Sequence, residues 1–178
     1  MATDHRSAGP STLADLEAMP TDDGQRYELV GGSIIVSPWP AHYGGVSFRL
    51  GPMLARGVPP GHASYRLCGL DLPGGQRVLP DLVVAPHTSI GEARLHLPVL
   101  LVVEVLCGLG GDDLALKRSA YAACDIPAYW LIDPEEPNVA CLRLGDGQYT
   151  AYAEGAVVEV DWPLPATMDV AALARPTA

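Results

Sequence analysis

The sequence predicts one α/β domain with a central mixed β-sheet flanked by helices and a β-rich C-terminal end. Helical spacings precede and follow several short β-prone runs, which is the element pattern of this fold class. The aliphatic run at 99–106 has the length and composition of a strand that is buried on both faces. No linker or repeat divides the 178 residues, a length typical of one domain. We therefore expect a loose tail over 1–10 and a single domain over 11–178.

The N-terminal elements follow from caps and glycines. A hydroxyl cap at Ser11 or Thr12 predicts a short helix through residue 19, which Pro20 ends. The pair Gly31-Gly32 separates β-prone runs at 26–30 and 33–37 and predicts a hairpin, because glycine readily adopts positive φ. Apolar residues at helical spacing predict a helix over 42–56 despite its glycines and proline.

The sheet core is predicted in the middle of the chain. Strands are expected at 63–70 and 78–85 on either side of a turn at 73–75, and again at 99–106 and 128–132. Asp112 is expected to cap a helix over 113–124. Three more strands, at 139–144, 148–152 and 157–160, are expected to form a terminal meander.

Composition excludes several classes of protein. The 48% of hydrophobic residues support a packed core, and no apolar run approaches the roughly 20 residues that span a bilayer. The N-terminus lacks the basic and apolar segments of a secretory signal, so the default compartment is the cytoplasm. Four scattered cysteines, without a zinc-type spacing, are expected to be reduced thiols. The net charge of −10 argues against nonspecific coating of nucleic acid.

Two acidic residues lie in the most apolar strands. Asp81 follows Pro80 at the start of a valine-rich run, and Glu104 lies inside the run at 99–106. If these strands pair antiparallel through the loop at 86–98, positions whose numbers add up to about 185 face each other, and Asp81 and Glu104 satisfy that condition. Facing side chains lie within about 5.5 Å at Cβ, close enough for two carboxylates to share a divalent ion.

Two buried carboxylates require a cation, a basic partner or both. Lys117 shares a helix face with Leu114 and Tyr121, which places its amine on the side that faces the sheet. A hard cation on oxygen ligands and a nearby lysine are the groups that phosphodiester hydrolysis uses. Taken alone, Asp81 could be a solvated acid at the start of a strand, and Lys117 a surface lysine.

The chain resembles the Uma (DUF820-type) family, which belongs to the PD-(D/E)XK superfamily of nucleases. The resemblance covers roughly residues 26–135. Its carriers are Arg26-Tyr27-Glu28-Leu29-Val30, Ser37-Pro38, Leu79-Pro80-Asp81-Leu82-Val83-Val84, Val102-Val103-Glu104-Val105-Leu106, Lys117 with Tyr121, and Tyr129-Trp130-Leu131-Ile132-Asp133-Pro134. The resemblance implies a restriction-endonuclease-like fold in which Asp81 and Glu104 are the motif acids. The superfamily's simplest pattern has its lysine where this chain has Leu106, and Lys117 matches a lysine moved to the following helix.

The resemblance implies an Mg²⁺- or Mn²⁺-dependent endonuclease that hydrolyses DNA. Asp81 and Glu104 would bind the metal, the Val105 carbonyl would add a ligand, and Lys117 would position the attacking water. Glu28 and His42 match accessory positions, although the residues alone favour a structural role for Glu28, as a cap or in a pair with Arg26 or Arg49. Binding to DNA is expected to be weak and metal-assisted, and a homodimer is left open.

A catalytically inactive interaction module or dimeric scaffold is the alternative. The altered turn at 107–109 and the acidic surface favour it, and two departures from the family pattern argue against activity. The turn Cys107-Gly108-Leu109 stands where the family usually shows Ser-Pro-Ser, and Gly31-Gly32-Ser33 stands where Asp-Gly-Glu is common. Metal binding distinguishes the two functions.

Overall fold

The structure is a computed structural model that describes residues 9–38, 41–106 and 111–174, with only the backbone of residues 41–44. The described helices are α1 (Leu13–Glu17), α2 (Ala41–Ala55), α3 (Gly111–Ala123) and α4 (Val170–Ala174). The described strands are β1 (Gln25–Val30), β2 (Ser33–Pro38), β3 (His62–Arg66), β4 (Leu70–Leu72), β5 (Gln76–Val78), β6 (Leu82–Pro86), β7 (Leu101–Val105), β8 (Ala128–Asp133), β9 (Asn138–Gly145), β10 (Gln148–Gly155), β11 (Val157–Val160) and β12 (Ala166–Asp169).

A small antiparallel sheet carries the N-terminal elements, in the order β2-β1-β5-β4. Thr12 caps α1 through a reciprocal pair of hydrogen bonds with Asp15, which satisfies backbone N–H groups that the helix leaves open. The predicted hairpin between β1 and β2 is confirmed, with Val30 opposite Ser33 and positive φ of 57° at Gly31 and 77° at Gly32.

The central sheet has six strands in the order β10-β9-β8-β7-β6-β3. Its only parallel pair within the described chain is β7 with β8, and α3 lies between them in sequence, as a crossover between parallel strands requires. All five residues of β7 are buried. The predicted mixed sheet flanked by helices, with a β-rich C-terminal end, is therefore confirmed.

Each face of the central sheet has its own hydrophobic core. On one face, Leu50 and Leu54 of α2 pack with Leu82 of β6 and with residues of β11, β12 and α4. On the other, Tyr121 of α3 and the small sheet cover Val83 of β6. The alternation of side chains along a strand assigns Leu82 to one core and Val83 to the other. Among the described helices, none combines the length and the apolar composition of a membrane span.

Two predicted strands are each divided in the structure. The run at 63–70 breaks into β3 and β4 around Leu67, whose φ is 51°, and the run at 78–85 breaks into β5 and β6 around residues 79–81. The four pieces belong to two sheets, with β4 and β5 in the small sheet and β3 and β6 in the central one. Hydrophobic periodicity does not report such a change of sheet.

Other boundaries also differ from prediction. Helix α3 begins at Gly111, so Asp112 lies in its first turn instead of capping it. The predicted meander holds for β9 and β10, but β11 leaves the central sheet and pairs with β12, a strand that was not predicted. The turn at 107–110 and residues 1–8 of the predicted tail lie outside the described residues.

Candidate active site

The antiparallel pairing of β6 with β7, on which the predicted facing of Asp81 and Glu104 depends, is confirmed. The register joins Leu82 to Val103 and Val83 to Val102, so that paired numbers add up to 185, as predicted. Asp81 is the residue immediately before β6, and Glu104 lies within β7. Both acids therefore lie where this antiparallel ladder ends.

Asp81 connects the two sheets through its carboxylate. Oδ2 accepts a hydrogen bond from the Val105 backbone N–H at 2.8 Å, which ties it to β7. Oδ1 accepts from Arg26 Nη1 at 2.9 Å, which ties it to β1. Asp81 is buried, so its charge depends on these donors to replace water.

Two side chains of β1 bind the backbone carbonyl and the backbone N–H of Leu79. Arg26 Nη2 donates to the Leu79 carbonyl at 2.7 Å, and Glu28 Oε1 accepts from the Leu79 N–H at 2.6 Å. Arg26 and Glu28 are two residues apart on one strand and so project from the same face. Together they position the segment that delivers Asp81.

Glu104 is fully buried, with an exposed fraction of 0%, and its two oxygens differ in their contacts. Oε1 accepts from Lys117 Nζ at 3.0 Å and from the Tyr121 hydroxyl at 2.8 Å. Oε2 is buried and has no hydrogen-bond partner in the described chain. One carboxylate oxygen is thus anchored, while the other is left without a donor.

Lys117 joins Glu104 to Glu28. Its ammonium lies 2.7 Å from Glu28 Oε2 as well as 3.0 Å from Glu104 Oε1. Its side chain is 0% exposed, because the face of α3 that carries Lys117 and Tyr121 packs inward. The prediction that Lys117 approaches the β7 acid from the following helix is confirmed, and Glu28 pairs with Lys117 as well as attracting the Arg26 charge.

Burial and excess negative charge dominate the electrostatics of this cluster, which we define as Arg26, Glu28, Asp81, Glu104 and Lys117. Desolvation, reinforced by Glu28 and Asp81, raises the pKa of Glu104 from 4.5 to about 7, although Lys117 and Arg26 oppose the shift. Burial lowers the pKa of Lys117, but attraction to Glu104 and Glu28 outweighs it and the net shift is upward. With all groups ionised, three carboxylates face two cations, which leaves one excess negative charge.

Two members of the site were not predicted. Beyond the family resemblance, Arg26 was considered only as a partner of Glu28 and Tyr121 only as a neighbour of Lys117 on its helix face, yet Arg26 binds Asp81 and Tyr121 binds Glu104. A sequence signal existed for both, because Arg26 lies two residues before Glu28 on a strand and Tyr121 lies four after Lys117 on a helix. His42 lies in the first turn of α2, and its side chain is outside the described residues.

Oxygen donors for a hard cation are present at the end of the ladder. They are the Asp81 carboxylate, Glu104 Oε2 and the Val105 carbonyl, which belongs to the residue whose N–H Asp81 accepts. Among the described residues, no group of three or more His, Cys, Asp or Glu is arranged to hold a metal. Two carboxylates and a carbonyl suit Mg²⁺, which commonly retains several waters.

Comparison with known proteins identifies the family. A family model named Uma2 and described as "Putative restriction endonuclease" matches residues 13–171, which is most of the chain. The chain belongs to the Uma2 family. The matched span includes Arg26, Glu28, Asp81, Glu104 and Lys117. A search of curated proteins found no match.

A solved structure shares the Uma2 chain's fold. It is the crystal structure of a protein from Anabaena variabilis ATCC 29413 described as "a putative nuclease belonging to DUF820". The TM-score is 0.67 at 18% sequence identity, and the match covers 86% of this chain and 90% of the other. The likeness confirms the nuclease-type fold that the sequence resemblance implied.

Proposed function

We propose that this Uma2-family protein is an Mg²⁺- or Mn²⁺-dependent endonuclease that hydrolyses phosphodiester bonds of DNA. The observation that carries the proposal is Glu104 Oε2, a buried carboxylate oxygen without a hydrogen-bond donor, beside the paired end of β6 that presents Asp81. A buried carboxylate oxygen without a donor is unfavourable unless a proton or a cation satisfies it. The excess negative charge of the cluster favours the cation.

Asp81, Glu104 and the Val105 carbonyl would hold the ion. When bound, the ion would polarise the scissile phosphate and lower the pKa of a coordinated water. The protein's own contribution is positioning: Lys117 and Tyr121 both bind Oε1 of Glu104, which leaves Oε2 as the oxygen available for ligation. Arg26 and Val105 fix the Asp81 carboxylate in the same way, while lone pairs on its oxygens remain for a further partner.

In this mechanism Lys117 positions the attacking water. An ammonium has three N–H donors, and Glu28 and Glu104 account for two of them in the structure. The third would hold the water for attack on phosphorus, and the positive charge would stabilise the negative charge that develops in the transition state. Lys117 is not a metal ligand, so its loss should lower turnover more than ion affinity.

The direct test measures ion binding and cleavage separately. Calorimetry with Mn²⁺ should give a binding signal for the wild type that Glu104→Gln and Asp81→Asn lose. Cleavage of DNA should require Mn²⁺ or Mg²⁺, stop with EDTA and be lost in the same two variants. Glu159→Gln is the control, because this acid is exposed on β11, outside the cluster. Mn²⁺-independent cleavage, or cleavage that survives Glu104→Gln, would refute the mechanism.

A noncatalytic scaffold is the second candidate, and one observation favours it. Arg26 already places a positive charge on Asp81 at 2.9 Å, and Lys117 places another on Glu104 at 3.0 Å, so the cluster is largely neutralised from within. Such a cluster can persist as a structural ion network. If calorimetry shows no binding at millimolar Mn²⁺ and the protein forms a stable dimer in solution, the scaffold function would be supported over the nuclease.

A further inference from the structure

An exposed aromatic and arginine pair lies in a shallow pocket between α2 and β3. The pocket has a volume of about 380 Å³ and is lined by Phe48, Gly51, Pro52, Ala55, Ser64 and Arg66. Phe48 is 60% exposed, which is unusual for a side chain of this size. The Arg66 guanidinium carbon lies 4.9 Å from the centre of the Phe48 ring, within range of a cation–π interaction.

The position of Arg66 depends on a glycine of α2. A Cβ added at Gly51 would lie 2.8 Å from Arg66 Cδ, so any larger residue would displace the arginine side chain. The guanidinium also donates to the Ser47 carbonyl at 3.5 Å, near the limit for a hydrogen bond. The Arg66 side chain therefore packs against α2, with its guanidinium beside the Phe48 ring.

This pair is close to the backbone of Asp81. Arg66 is opposite Leu82 in the pairing of β3 with β6, and the next residue, Leu67, donates its N–H to the Asp81 carbonyl at 3.3 Å. Ser47, which precedes Phe48 on α2, donates its hydroxyl to the same carbonyl at 3.4 Å. Phe48 and Arg66 are thus the sequence neighbours of Ser47 and Leu67, the two residues that contact the Asp81 carbonyl.

Several basic groups of the described chain are already engaged by other groups of the protein. Arg26 and Lys117 are buried in the ion cluster. Other arginines donate elsewhere: Arg49 to the Leu173 carbonyl, Arg77 to Asp71 and Glu17, and Arg118 to the Tyr149 carbonyl. A protein with net charge −10 needs local positive charge to hold a polyanion, and the exposed Arg66 supplies it one residue away from Leu67, which contacts the Asp81 backbone.

We propose that Phe48 and Arg66 form a contact site for a single-stranded nucleic-acid segment that passes the end of β6 carrying Asp81 and continues onto the α2 face of the central sheet. Arg66 binds a backbone phosphate, and the exposed Phe48 ring stacks on an unpaired base, a combination that holds single strands without reading sequence. This inference rests on the proposed nuclease function and specifies its substrate. A duplex keeps its bases stacked on one another, so it gains only the phosphate contact.

Fluorescence anisotropy in EDTA tests the site without requiring cleavage. The probes are a labelled oligothymidylate strand and a duplex of equal length, titrated at low salt. Phe48→Ala should weaken binding of the single strand at least about five-fold and leave the duplex almost unchanged, because only an unpaired base can stack. Arg66→Ala should weaken both, and should reduce the slope of log affinity against log salt by about 0.7 to 0.9, as expected for one phosphate contact.

Two further variants separate geometry from charge. Arg66→Lys keeps the charge but not the planar group, so it should retain the salt slope and lose part of the affinity. Gly51→Ala displaces Arg66 and should behave as a weaker Arg66→Ala. Arg143→Ala is the matched control, because Arg143 also lies over an aromatic ring, at 4.0 Å from the centre of Trp162, but on β9, three strands away from β6.

The inference fails if the wild type binds neither probe, or if Phe48→Ala and Arg66→Ala bind both probes as the wild type does. It also fails if Phe48→Ala converts a dimer to a monomer without changing affinity, since the surface would then be covered by a second copy of the chain. Single-strand binding that shows the Phe48 dependence, in a protein that does not cleave with Mn²⁺, would support this contact site and refute the nuclease mechanism.

Discussion

Glu104 is the residue whose protonation the fold controls most strongly. Its strand is buried on every side, and the only donors in the described chain converge on one of its two oxygens. Burial and two further carboxylates raise its pKa to about 7, so it gains a proton near neutral pH when no cation is added. The residue is therefore a measurable probe of the cluster's charge in the metal-free protein.

The stability of the metal-free protein should depend on pH through Glu104. Its folded pKa of about 7 exceeds the ordinary value of 4.5, so between these values the folded protein holds a proton that the unfolded chain releases. The contribution of Glu104 to the free energy of unfolding is therefore fully present below about pH 4.5 and is lost as pH rises through about 7. Urea unfolding in EDTA measures this contribution as the free energy of unfolding of the wild type minus that of Glu104→Gln. The difference should fall as pH rises through this window and should not change at higher pH. A contribution that grows with pH would contradict the assignment.

Removal of Lys117 should destabilise the protein strongly. Lys117→Met leaves Glu28 and Glu104 buried without their cation, which should cost about 3–5 kcal/mol in the free energy of unfolding. Adding Glu28→Gln should recover part of this loss, because one of the two uncompensated charges disappears.

Urea unfolding of both single variants and the double variant measures that coupling. Glu17→Gln is the control: Glu17 is 61% exposed in its ion pair with Arg77, and such pairs contribute about 1 kcal/mol or less. If the double variant is less stable than either single variant, the charge-balance explanation is wrong.

Among the elements, strand β1 does the most to position the site. Its residues 26 and 28 hold the backbone at Leu79, and one of them also binds the Asp81 carboxylate. The register of β1 is set by the hairpin at Gly31-Gly32, since a slip of one residue would turn both charged side chains to the opposite face. The hairpin thus determines the geometry of a site that also draws on residues far along the chain.

An alanine in this hairpin should perturb the fold more than the same change at a comparable glycine. Gly32 has φ of 77°, and a Cβ there would lie 2.8 Å from Pro10 Cβ. Gly24 has nearly the same φ, 74°, with no atom within 4 Å of its Cβ position. Gly24→Ala should cost about 1–2 kcal/mol for the left-handed backbone alone. Gly32→Ala should cost measurably more in urea unfolding; equal losses would show that Pro10 moves away freely.

Features that depend on residues close together in the sequence could be predicted from it. The β6–β7 register followed from one loop midpoint, and the inward position of Lys117 followed from helical spacing. The Arg26–Asp81 ion pair joins residues 55 positions apart, one on β1 and the other just before β6, and no local pattern encodes it. The division of the run at 78–85 was missed for the same reason, because Val78 and Leu82 look alike in sequence but belong to different sheets.

For the whole molecule, charge is the property that most constrains function. Three carboxylates and two cations are enclosed between sheets in a chain of net charge −10. Proteins that bind nucleic acid through broad basic surfaces make roughly 6–10 phosphate contacts and lose affinity steeply with salt. This chain has no comparable basic groove among its described residues, so binding in the absence of an added ion must rest on a few contacts.

Salt dependence should therefore be shallow. In EDTA, between roughly 50 and 200 mM salt, the slope of log affinity for DNA against log salt should be about −1 to −2, which corresponds to one or two phosphate contacts. Anisotropy titrations at several salt concentrations measure it. A slope steeper than about −5 would indicate a broad basic surface on the protein and would contradict binding through a few local contacts.

The hydrogen bond from the Val105 N–H to Asp81 has a consequence for how this protein can be observed. That amide belongs to β7, yet its acceptor is a side chain that also contacts β1, so its protection from solvent deuterium reports the contact between the two sheets. An ion that draws on the Asp81 carboxylate must alter that acceptor. If the proposed ion binds, the exchange rate of this one backbone amide would report its occupancy, with no substrate present and no bond cleaved.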